Sequence, residues 1–543
     1  MKKIIKAIFF FSLFVLLLYN SKLYSQSIPH LQKKGSTKEL IVEGKPFLVL
    51  GGELGNSTAS SLDYMRPFWT KFKAMNLNTI LVPAYWDLIE PEEGKFDFDL
   101  LDSIINSSRK NNLKVVLLWF GSWKNSMSCY APAWIKTNQK RFPRAQNTAG
   151  KGLEILSAFS KNNLDSDKKA FVELMKHLKE TDTSHTVIMM QVENEIGMLT
   201  EAREYTAEAN KAFNTEVPKE LLDYLIKNED SLVPELKVHW SKTNFATKGN
   251  WEKVFGKSLA TDELFQAWYY AKYTNTIAAA GKKEYRLPMY VNAALNYRNV
   301  QPGQYPSAGP LPHLMDIWQA AAPAIDILSP DFYNPYFKHY CDLYTRRNNP
   351  LFIPEIRFEK SNAAQVFYAI GHYQAIGFSP FSIESTEHPE DEPIGKAYSI
   401  LSQLSPEILN NIGTGKMDGV LLDTSNKKQE IILGNYKLTI SHDYTLGWSP
   451  EAKNPDWPMS GAIIIQTDEN DFIIAGTGVV VTFTVNNSDK NSVGILQADE
   501  GIYEDGKWIP GRRMNGDQDH QGRHLRIPVG DWNIQKVKLY QYK

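Results

Sequence analysis

The chain has 543 residues, of which 43% are hydrophobic and 22% are charged, an ordinary balance for a globular protein and unlike that of disordered or membrane-spanning chains. Its 60 basic and 61 acidic residues nearly cancel, so no global field attracts nucleic acid or an anionic membrane surface. The length fits a barrel of roughly 250–400 residues followed by a second domain.

The N-terminus has the pattern of a signal peptide. Met1-Lys2-Lys3 is followed by an apolar run at 8–18 and a mostly polar stretch to Ser27. The apolar run is too short to span a bilayer comfortably, and cleavage is expected near Tyr24-Ser25-Gln26. We therefore predict a signal peptide over 1–25 and a periplasmic or secreted protein, with no membrane contact after cleavage. An uncleaved anchor is the alternative.

The next part of the chain alternates short apolar runs with longer amphipathic stretches, as expected for a parallel sheet covered by helices. Helices are predicted at 166–180 and 362–376. Eight runs qualify as strands, the number that closes a barrel: Phe47 to Glu53, Thr79 to Tyr85, Lys114 to Phe120, Val187 to Glu193, Pro288 to Asn292, Ile325 to Ser329, Leu351 to Glu355 and Phe378 to Glu384. These runs predict an α/β fold, a (β/α)8 TIM barrel over 26–415.

From about Asp418 the pattern changes to alternating strands separated by turns, with no long helical period. Strands are predicted at 430–433, 437–441, 462–466, 472–475, 479–485 and 537–542. We expect a C-terminal antiparallel β-sandwich-like domain over 416–543 that packs directly on the barrel. Cys129 and Cys341, the two cysteines, are expected to be packing residues, although a long-range disulfide between them stays open.

The strongest chemical signal is Gln191-Val192-Glu193-Asn194-Glu195-Ile196-Gly197, at the end of the fourth predicted strand. In barrels of this type the chemistry lies at the carboxyl ends of the strands. Asn194 is positioned to hydrogen-bond a sugar 2-hydroxyl, and Glu195 to protonate a departing glycosidic oxygen. Glu193, two residues earlier, is expected to be a buried structural acid.

A second carboxylate follows the seventh predicted strand, in Leu351-Phe352-Ile353-Pro354-Glu355-Ile356-Arg357. A retaining glycosidase needs an ionised carboxylate about 5–5.5 Å from the acid, to attack the anomeric carbon. Glu355 fits that role in type and place. Arg357 is expected to favour its charged form.

The run QVENEIG resembles the acid/base motif of glycoside hydrolase family 35, whose usual form has Tyr at the position of Ile196. That family belongs to the large clan A of (β/α)8 barrels, with Asn-Glu after the fourth strand and a nucleophilic Glu after the seventh. The chain is similar to a bacterial branch with a short β domain behind the barrel. The resemblance implies a retaining exo-β-galactosidase that removes terminal β-galactosyl residues from oligosaccharides or polysaccharide side chains.

The resemblance fails at two other strand ends. Tyr85-Trp86-Asp87-Leu88-Ile89-Glu90-Pro91 is similar to the family's Trp-Asn-x-His-Glu-Pro, with Asp87 and Ile89 in place of Asn and His, and the family's sugar-contacting Tyr falls on Pro83. After the third strand, Gly121-Ser122-Trp123-Lys124-Asn125 replaces a small residue followed by Glu. These changes leave another clan A activity, β-glucosidase or β-xylosidase, as an alternative. A non-catalytic carbohydrate-binding barrel is a second one.

Other residues at strand ends are candidate substrate ligands, because polar and aromatic side chains around a barrel mouth contact sugars. They are Glu53, Trp123, Asn125, Tyr333 and Glu384. In the β domain, Trp448, Trp457, Trp508 and Trp532 could form a carbohydrate-binding platform, but packing at a domain interface is the favoured interpretation.

Other chemistries lack their motifs. Gly256-Lys257-Ser258 would need Gly rather than Trp251 to form a phosphate loop, and the sequence contains neither a Gly-x-Ser-x-Gly elbow nor a His-Glu-x-x-His helix. We expect no cofactor and no metal, a carbohydrate substrate, and no nucleic-acid partner.

Overall fold

A computed structural model describes residues 27–296, 299–486 and 491–543. Within these ranges, eight parallel strands close into a barrel in which every strand pairs with its neighbours in the sequence. The strands are β1 (Val49–Glu53), β2 (Thr79–Tyr85), β3 (Lys114–Lys124), β4 (Val187–Asn194), β5 (Met289–Ala294), β6 (Ile327–Phe332), β7 (Ile353–Ile356) and β8 (Gly377–Pro380). Each overlaps one of the predicted strands, so the predicted TIM barrel is confirmed.

A helix follows each barrel strand and covers its outer face. These helices are α1 (Phe68–Ala74), α2 (Asp99–Lys110), α3 (Lys161–Thr181), α4 (Leu259–Glu284), α5 (Met315–Ala321), α6 (Phe337–Tyr344), α7 (Asn362–Gly371) and α8 (Pro393–Asn411). Because helices cover the sheet outside and side chains fill it inside, every residue of β2 and of β4 is buried. That double burial explains why these strands are continuous apolar runs.

Two predicted elements end earlier in the structure than in the sequence analysis. The helix predicted to reach residue 376 stops at Gly371, and Gln374 adopts a left-handed φ of +55° before β8 begins. The strand predicted to reach Glu384 stops at Pro380, and Ser382 has a φ of +52°. Backbone in this region of φ cannot continue a helix or a strand, so Glu384 lies in a short helical turn, Ile383–Ser385.

The connection from β4 to α4 holds the largest insertion, with helices at Ala207–Asn214, Lys219–Lys227, Pro234–Ser241 and Trp251–Phe255. Shorter helices, Leu62–Met65, Trp86–Ile89 and Ala133–Lys136, and a strand pair, Arg144–Gln146 with Gly152–Leu156, lie in other loops. Before β1, strands His30–Lys34, Thr37–Val42 and Lys45–Phe47 form a small antiparallel sheet. In the described ranges, no helix is both long and apolar enough to cross a membrane.

The C-terminal region forms two antiparallel sheets, as predicted. The strands are β9 (Met417–Leu422), β10 (Lys428–Leu433), β11 (Tyr436–His442), β12 (Ser460–Gln466), β13 (Asp471–Thr477), β14 (Val479–Val485), β15 (Ser492–Glu504), β16 (Lys507–Arg513), β17 (Leu525–Ile527) and β18 (Asn533–Tyr542). One sheet has the order β9-β12-β13-β18-β15-β16 and the other β10-β11-β14-β17. They share a core that includes Leu438, Ile464 and Phe472.

The larger of these sheets also buries its second face, because Ile463, Ile465 and Ile473 join the core of the barrel. Close approach to α7 depends on glycine: a Cβ at Gly419 would lie 2.7 Å from the carbonyl oxygen of Phe367, and one at Gly461 would lie 2.5 Å from that of Ala364. A larger residue at either position would push the helix and the sheet apart.

The tryptophans of the C-terminal region do not form one platform. Trp532 stacks on Phe367 of α7, and Trp508 packs against the barrel core, as a domain-interface role requires. Trp457 packs on His442 and Tyr444 instead, and Trp448 is 50% exposed.

Both cysteines are free thiols. Cys341 is buried, as predicted for a packing residue, whereas Cys129 is exposed, which contradicts that prediction. The predicted signal peptide, 1–25, lies outside the described residues.

Candidate active site

Asn194 and Glu195 leave the end of β4 in a conformation fixed by neighbouring strands. Glu195 has a φ of +44°, which a non-glycine residue adopts only when its surroundings hold it there. Its N–H donates to Oδ1 of Asn292 on β5 at 2.9 Å, and its carbonyl oxygen accepts from the N–H of Ser126 after β3 at 3.1 Å. The backbone of Glu195 is thereby tied to both adjacent strands.

Glu355 lies within β7, directly opposite Asp331 of β6 in the strand register. Tyr333, two residues beyond Asp331, donates its hydroxyl hydrogen bond to Oε1 of Glu355. The other oxygen, Oε2, is buried without a hydrogen-bond partner in the described residues. Asn292 donates from Nδ2 to Oδ2 of Asp331 at 2.6 Å, so the same amide orients both Glu195 and Asp331.

The barrel brings the two predicted carboxylates together. Glu195, Asp331 and Glu355 each place one carboxylate oxygen within 4.8 Å of the others, and Glu195 and Glu355 are each 3% exposed. Such a separation suits the retaining mechanism rather than the inverting one, which needs roughly 6.5–9.5 Å. Oxygen ligands at this spacing could also hold a cation, and within the described residues no other group of three does so.

Burial and mutual repulsion keep protons on this cluster. Burial and the nearby charge of Glu195 raise the pKa of Glu355 to about 7, and burial also raises the pKa of Glu195. For Asp331, burial and then the charge of Glu355 raise the pKa well above its usual range. Carboxylates this close cannot all be ionised, and they exchange protons as one unit rather than as separate groups.

Among the described residues, the cation that acts on this cluster is Lys124, which the sequence analysis did not select. Lys124 is the last residue of β3 and only 4% exposed. Its charge lowers the pKa values of Glu195 and Glu355 against the effect of burial. The ammonium lies 5.1 Å from the centre of the Phe120 ring. Lys124 therefore partly neutralises the acids from within the barrel.

Arg357 does not have the role predicted for it. Its side chain is 56% exposed and lies 3.8 Å from Glu359, and its guanidinium group faces the ring of Tyr333 at 5.5 Å. It is not among the groups that shift the pKa of Glu355. The predicted cation effect is real, but it comes from Lys124.

Asn194 and Glu53 line the same buried region. The side-chain amide of Asn194 is fully buried, and neither its oxygen nor its nitrogen has a hydrogen-bond partner in the described part of the chain. Buried polar groups are rarely left unpaired, so this amide is available to a ligand. Glu53, at the end of β1, is 2% exposed. Burial and the charge of Glu355 raise the pKa of Glu53 well above its usual range.

Asn125 contacts the site, whereas Glu384 mainly holds a loop. Asn125 is exposed and its side-chain amide donates to Oε2 of Glu195. Glu384 uses Oε1 to accept hydrogen bonds from the N–H of Gly55 at 2.9 Å and the hydroxyl of Thr58 at 2.5 Å. Its other oxygen is buried and has no hydrogen-bond partner among the residues that the structure describes. Glu384 thus orders the loop after β1, and one oxygen is left for a ligand.

The structure does not place Trp123 where the sequence analysis expected it, in contact with a sugar. Its ring is fully buried and packs edge-on against Tyr270 and Tyr273 of α4, which gives it a packing role instead of the predicted sugar contact. Consecutive residues of a strand point to opposite faces. Trp123 therefore lies on the face of β3 opposite to that of Lys124.

Glu193 is the buried structural acid that the sequence predicted. It is 1% exposed and accepts from the N–H of Trp123 at 2.8 Å. Burial and the charge of Asp167 raise its pKa well above the usual range. Asp167 in turn accepts from the indole N–H of Trp119 at 2.9 Å.

Lys124, Asn292 and Asp331 are the members of the cluster that sequence reasoning missed. Each stands at the end of a barrel strand, and that position was the available signal. The predicted β6 stopped at Ser329, two residues short of Asp331, and Lys124 was noted only as a departure from a family pattern.

Comparisons with known proteins agree with this geometry. Residues 64–279 match the family model described as β-galactosidase, that of glycoside hydrolase family 42. Over these residues the chain is therefore similar in sequence to β-galactosidases. Residues 394–526 match a model described as a domain of unknown function, DUF5597.

Two curated relatives are similar to about a third of this chain. A β-galactosidase of Xanthomonas manihotis is 26% identical over 31% of this chain and 27% of its own length. The human β-galactosidase-1-like protein 3 is 27% identical over 32% of this chain and 25% of its own length. The matched segment thus spans about a quarter of each relative.

Solved structures give only a weak likeness. A family 42 β-galactosidase from G. stearothermophilus superimposes over 90% of this chain and 98% of its own, with a TM-score of 0.47 and 10% identity. A β-galactosidase from Rahnella sp. R3 covers 66% of this chain and 56% of its own, with a TM-score of 0.46 and 17% identity.

The predicted resemblance is thus confirmed at the level of clan A β-galactosidases. The assignment to family 35 is not confirmed, because the matching model is that of family 42.

Proposed function

We propose that the protein is a retaining exo-β-galactosidase that hydrolyses terminal β-galactosides of oligosaccharides or polysaccharide side chains. The observation that carries this proposal is the pair Glu195 and Glu355, with carboxylate oxygens within 4.8 Å of each other at the mouth of the barrel. The β-galactosidase model matched by residues 64–279 supports the choice of galactose. The basic and apolar N-terminus supports a periplasmic or secreted location.

In the first half of the reaction, Glu355 attacks the anomeric carbon while Glu195 donates a proton to the departing oxygen. The hydrogen bond that Tyr333 donates to Glu355 favours the charged form that the attack requires. In the second half, Glu195 takes a proton from water, and the water releases the sugar from Glu355 with net retention.

The remaining residues bind the sugar. The unpaired amide of Asn194 is available to the 2-hydroxyl, a contact that strengthens as the ring approaches the transition state. Glu53 accepts hydrogen bonds from other hydroxyls, and the Lys124 ammonium donates to them. The steps described here use only the protein's own side chains and water.

A panel of nitrophenyl β-glycosides tests the sugar, and NMR of the first product tests the stereochemistry. We expect turnover of the β-galactoside with β-galactose as the initial product. Preference for β-glucoside or β-xyloside would replace the galactose assignment, and α-galactose would exclude retention. Activity that persists in Glu195→Gln and Glu355→Gln would remove both residues from the mechanism, whereas an inactive wild-type protein that still binds galactose would be a sugar-binding barrel.

A further inference from the structure

Asp331 is the one carboxyl group among Glu195, Asp331 and Glu355 to which the proposed reaction assigns no step. It is the second-to-last residue of β6 and is 1% exposed. One of its carboxylate oxygens lies within 4.8 Å of an oxygen of Glu195 and of an oxygen of Glu355. An ionised aspartate at this position would repel each of the two glutamates at the stage of the reaction that requires its negative charge.

The hydrogen bonds around Asp331 require a proton. Its Oδ2 accepts from Nδ2 of Asn292 at 2.6 Å, whereas its Oδ1 is buried and receives no hydrogen bond from the described residues. The side chain of Asp331 is nevertheless within hydrogen-bonding distance of the carboxyl group of Glu195. Two ionised carboxylates can only accept, so one of these two side chains carries the proton that joins them.

The surroundings of Asp331 favour its neutral form. Burial, and then the charges of three other acids of the site, raise its pKa well above the usual range; these acids are Glu355, Glu195 and Glu53. Three tyrosines also face Asp331, and burial raises the pKa of each of them, so they are uncharged; they are Tyr290, Tyr333 and Tyr344. The groups that act most strongly on Asp331 therefore all oppose its ionisation.

The surroundings of Glu195 differ in sign. The charge of Lys124 and the hydrogen bond donated by Asn125 both favour its ionised form and act against burial. Lys124 has the same effect on Glu355. When Glu195 is ionised, the shared proton therefore belongs to Asp331.

We propose that Asp331 is a positioning residue that stays protonated throughout the reaction and donates a hydrogen bond to Glu195. This inference rests on the proposed function. When Glu195 gives its own proton to the departing oxygen, its new negative charge accepts the hydrogen bond from Asp331. When Glu195 later takes a proton from water, Asp331 keeps its proton, which is never transferred.

This arrangement keeps the charge of the three carboxyl groups constant. The free enzyme has one negative charge among them, on Glu355, and the glycosyl-enzyme also has one, on Glu195, because Glu355 is then an ester. The single positive charge of Lys124 matches it at both stages. An ionised Asp331 would add a second negative charge to a buried site, which is costly without a second cation.

Two substitutions separate a neutral Asp331 from an ionised one. Asp331→Asn reproduces the protonated form, because its amide oxygen can accept from Asn292 while its NH2 group donates to Glu195. Asp331→Leu is similar in size but makes neither hydrogen bond. Asp316→Asn is the control, because Asp316 is as buried as Asp331 but lies on α5 and pairs with Arg347 at 2.9 Å.

The measurement is kcat/KM on nitrophenyl β-galactoside as a function of pH. Asp331→Asn should stay within about 3-fold of the wild type, with its basic limb unmoved. Asp331→Leu should lose about 10- to 100-fold, the loss expected for a hydrogen bond to a charged group. Its basic limb should move to higher pH, because Glu195 loses a hydrogen bond that lowers its pKa. Asp316→Asn should lower the melting temperature and leave the limb in place.

An ionised Asp331 predicts the opposite shift. Both substitutions would then remove a negative charge, lower the pKa of Glu195 and move the basic limb to lower pH. That shift, an equal loss in both variants, or no loss in Asp331→Leu would overturn the inference and leave the galactosidase proposal intact. If Asp331→Leu does not fold, the activity and basic limb of Asp331→Asn decide alone. A wild-type protein inactive on β-galactosides would overturn the proposed function and the inference with it.

Discussion

The two proposed catalytic carboxylates are equally buried, yet they are held in different ways. Glu195 follows its strand in a left-handed conformation, and Asn125, from an exposed loop, reaches its carboxylate. Glu355 lies within β7, and Tyr333, the residue that follows β6, donates a hydrogen bond to it. The difference fits their roles: the acid must exchange its proton with the leaving group and water, whereas the nucleophile must keep its charge and position.

The largest effects should come from removing either carboxylate. Adding azide as an external nucleophile should then distinguish the role of Glu195 from that of Glu355. Glu195→Ala should lower kcat by about 10²–10⁴-fold on substrates with poor leaving groups, and Glu355→Ala at least as much. With nitrophenyl galactoside and azide, Glu195→Ala should yield β-galactosyl azide, because azide replaces water on the glycosyl-enzyme. Glu355→Ala should yield the α-azide by direct attack. The opposite pairing of products, identified by NMR, would reverse the assignments.

Lys124→Met should have the next largest effect, because the charge of Lys124 acts on both Glu195 and Glu355. Its positive charge favours both ionised carboxylates, so its removal raises the pKa values of Glu195 and Glu355 and moves both limbs of the pH–rate profile to higher pH. We expect kcat/KM at neutral pH to fall by about 10²-fold. Lys114→Met, on the same strand but bound to Glu43, is the control. An unshifted profile in Lys124→Met would contradict this role.

Tyr333→Phe tests the Glu355 side alone. Loss of the hydroxyl removes a hydrogen bond that lowers the pKa of Glu355, so the acidic limb of the profile should move to higher pH. A hydrogen bond to a charged group contributes about 1.5–3 kcal/mol, which predicts a 10- to 100-fold loss of kcat. In the control Tyr373→Phe, the lost hydroxyl binds Asp342 instead. Neither the position of the acidic limb nor kcat should change in this variant. A fall in thermal stability without a shift of the limb would indicate a structural role.

Asn125→Ala should give the smallest effect, because the amide that binds Glu195 is exposed and water can replace it. We expect a loss of about 3- to 10-fold in kcat/KM, measured on nitrophenyl β-galactoside. Asn111→Ala, which changes another exposed asparagine just after α2, should leave the rate unchanged. A loss in Asn125→Ala as large as that in Tyr333→Phe would contradict the proposed difference between the ways in which Glu195 and Glu355 are held.

The sequence was a good guide to the fold, because the signals for strands and helices are local. Burial on both faces made each barrel strand a recognisable apolar run, and alternation did the same for the C-terminal sheets. Two of the boundary errors, at the ends of α7 and β8, fall just before the left-handed residues Gln374 and Ser382. Nothing in the local pattern of apolar residues marks those conformations.

Within the site, the sequence alone identified Glu195, Asn194 and Glu355, because each follows an apolar strand in a recognisable context. It could not reveal that Lys124 replaces Arg357 as the nearby cation, that Asp331 stands opposite Glu355, or that Trp123 faces α4. Those facts depend on which strands become neighbours when the barrel closes and on which face each side chain lies. Electrostatic effects between residues distant in the chain arise only from that closure, so the tertiary structure decided them.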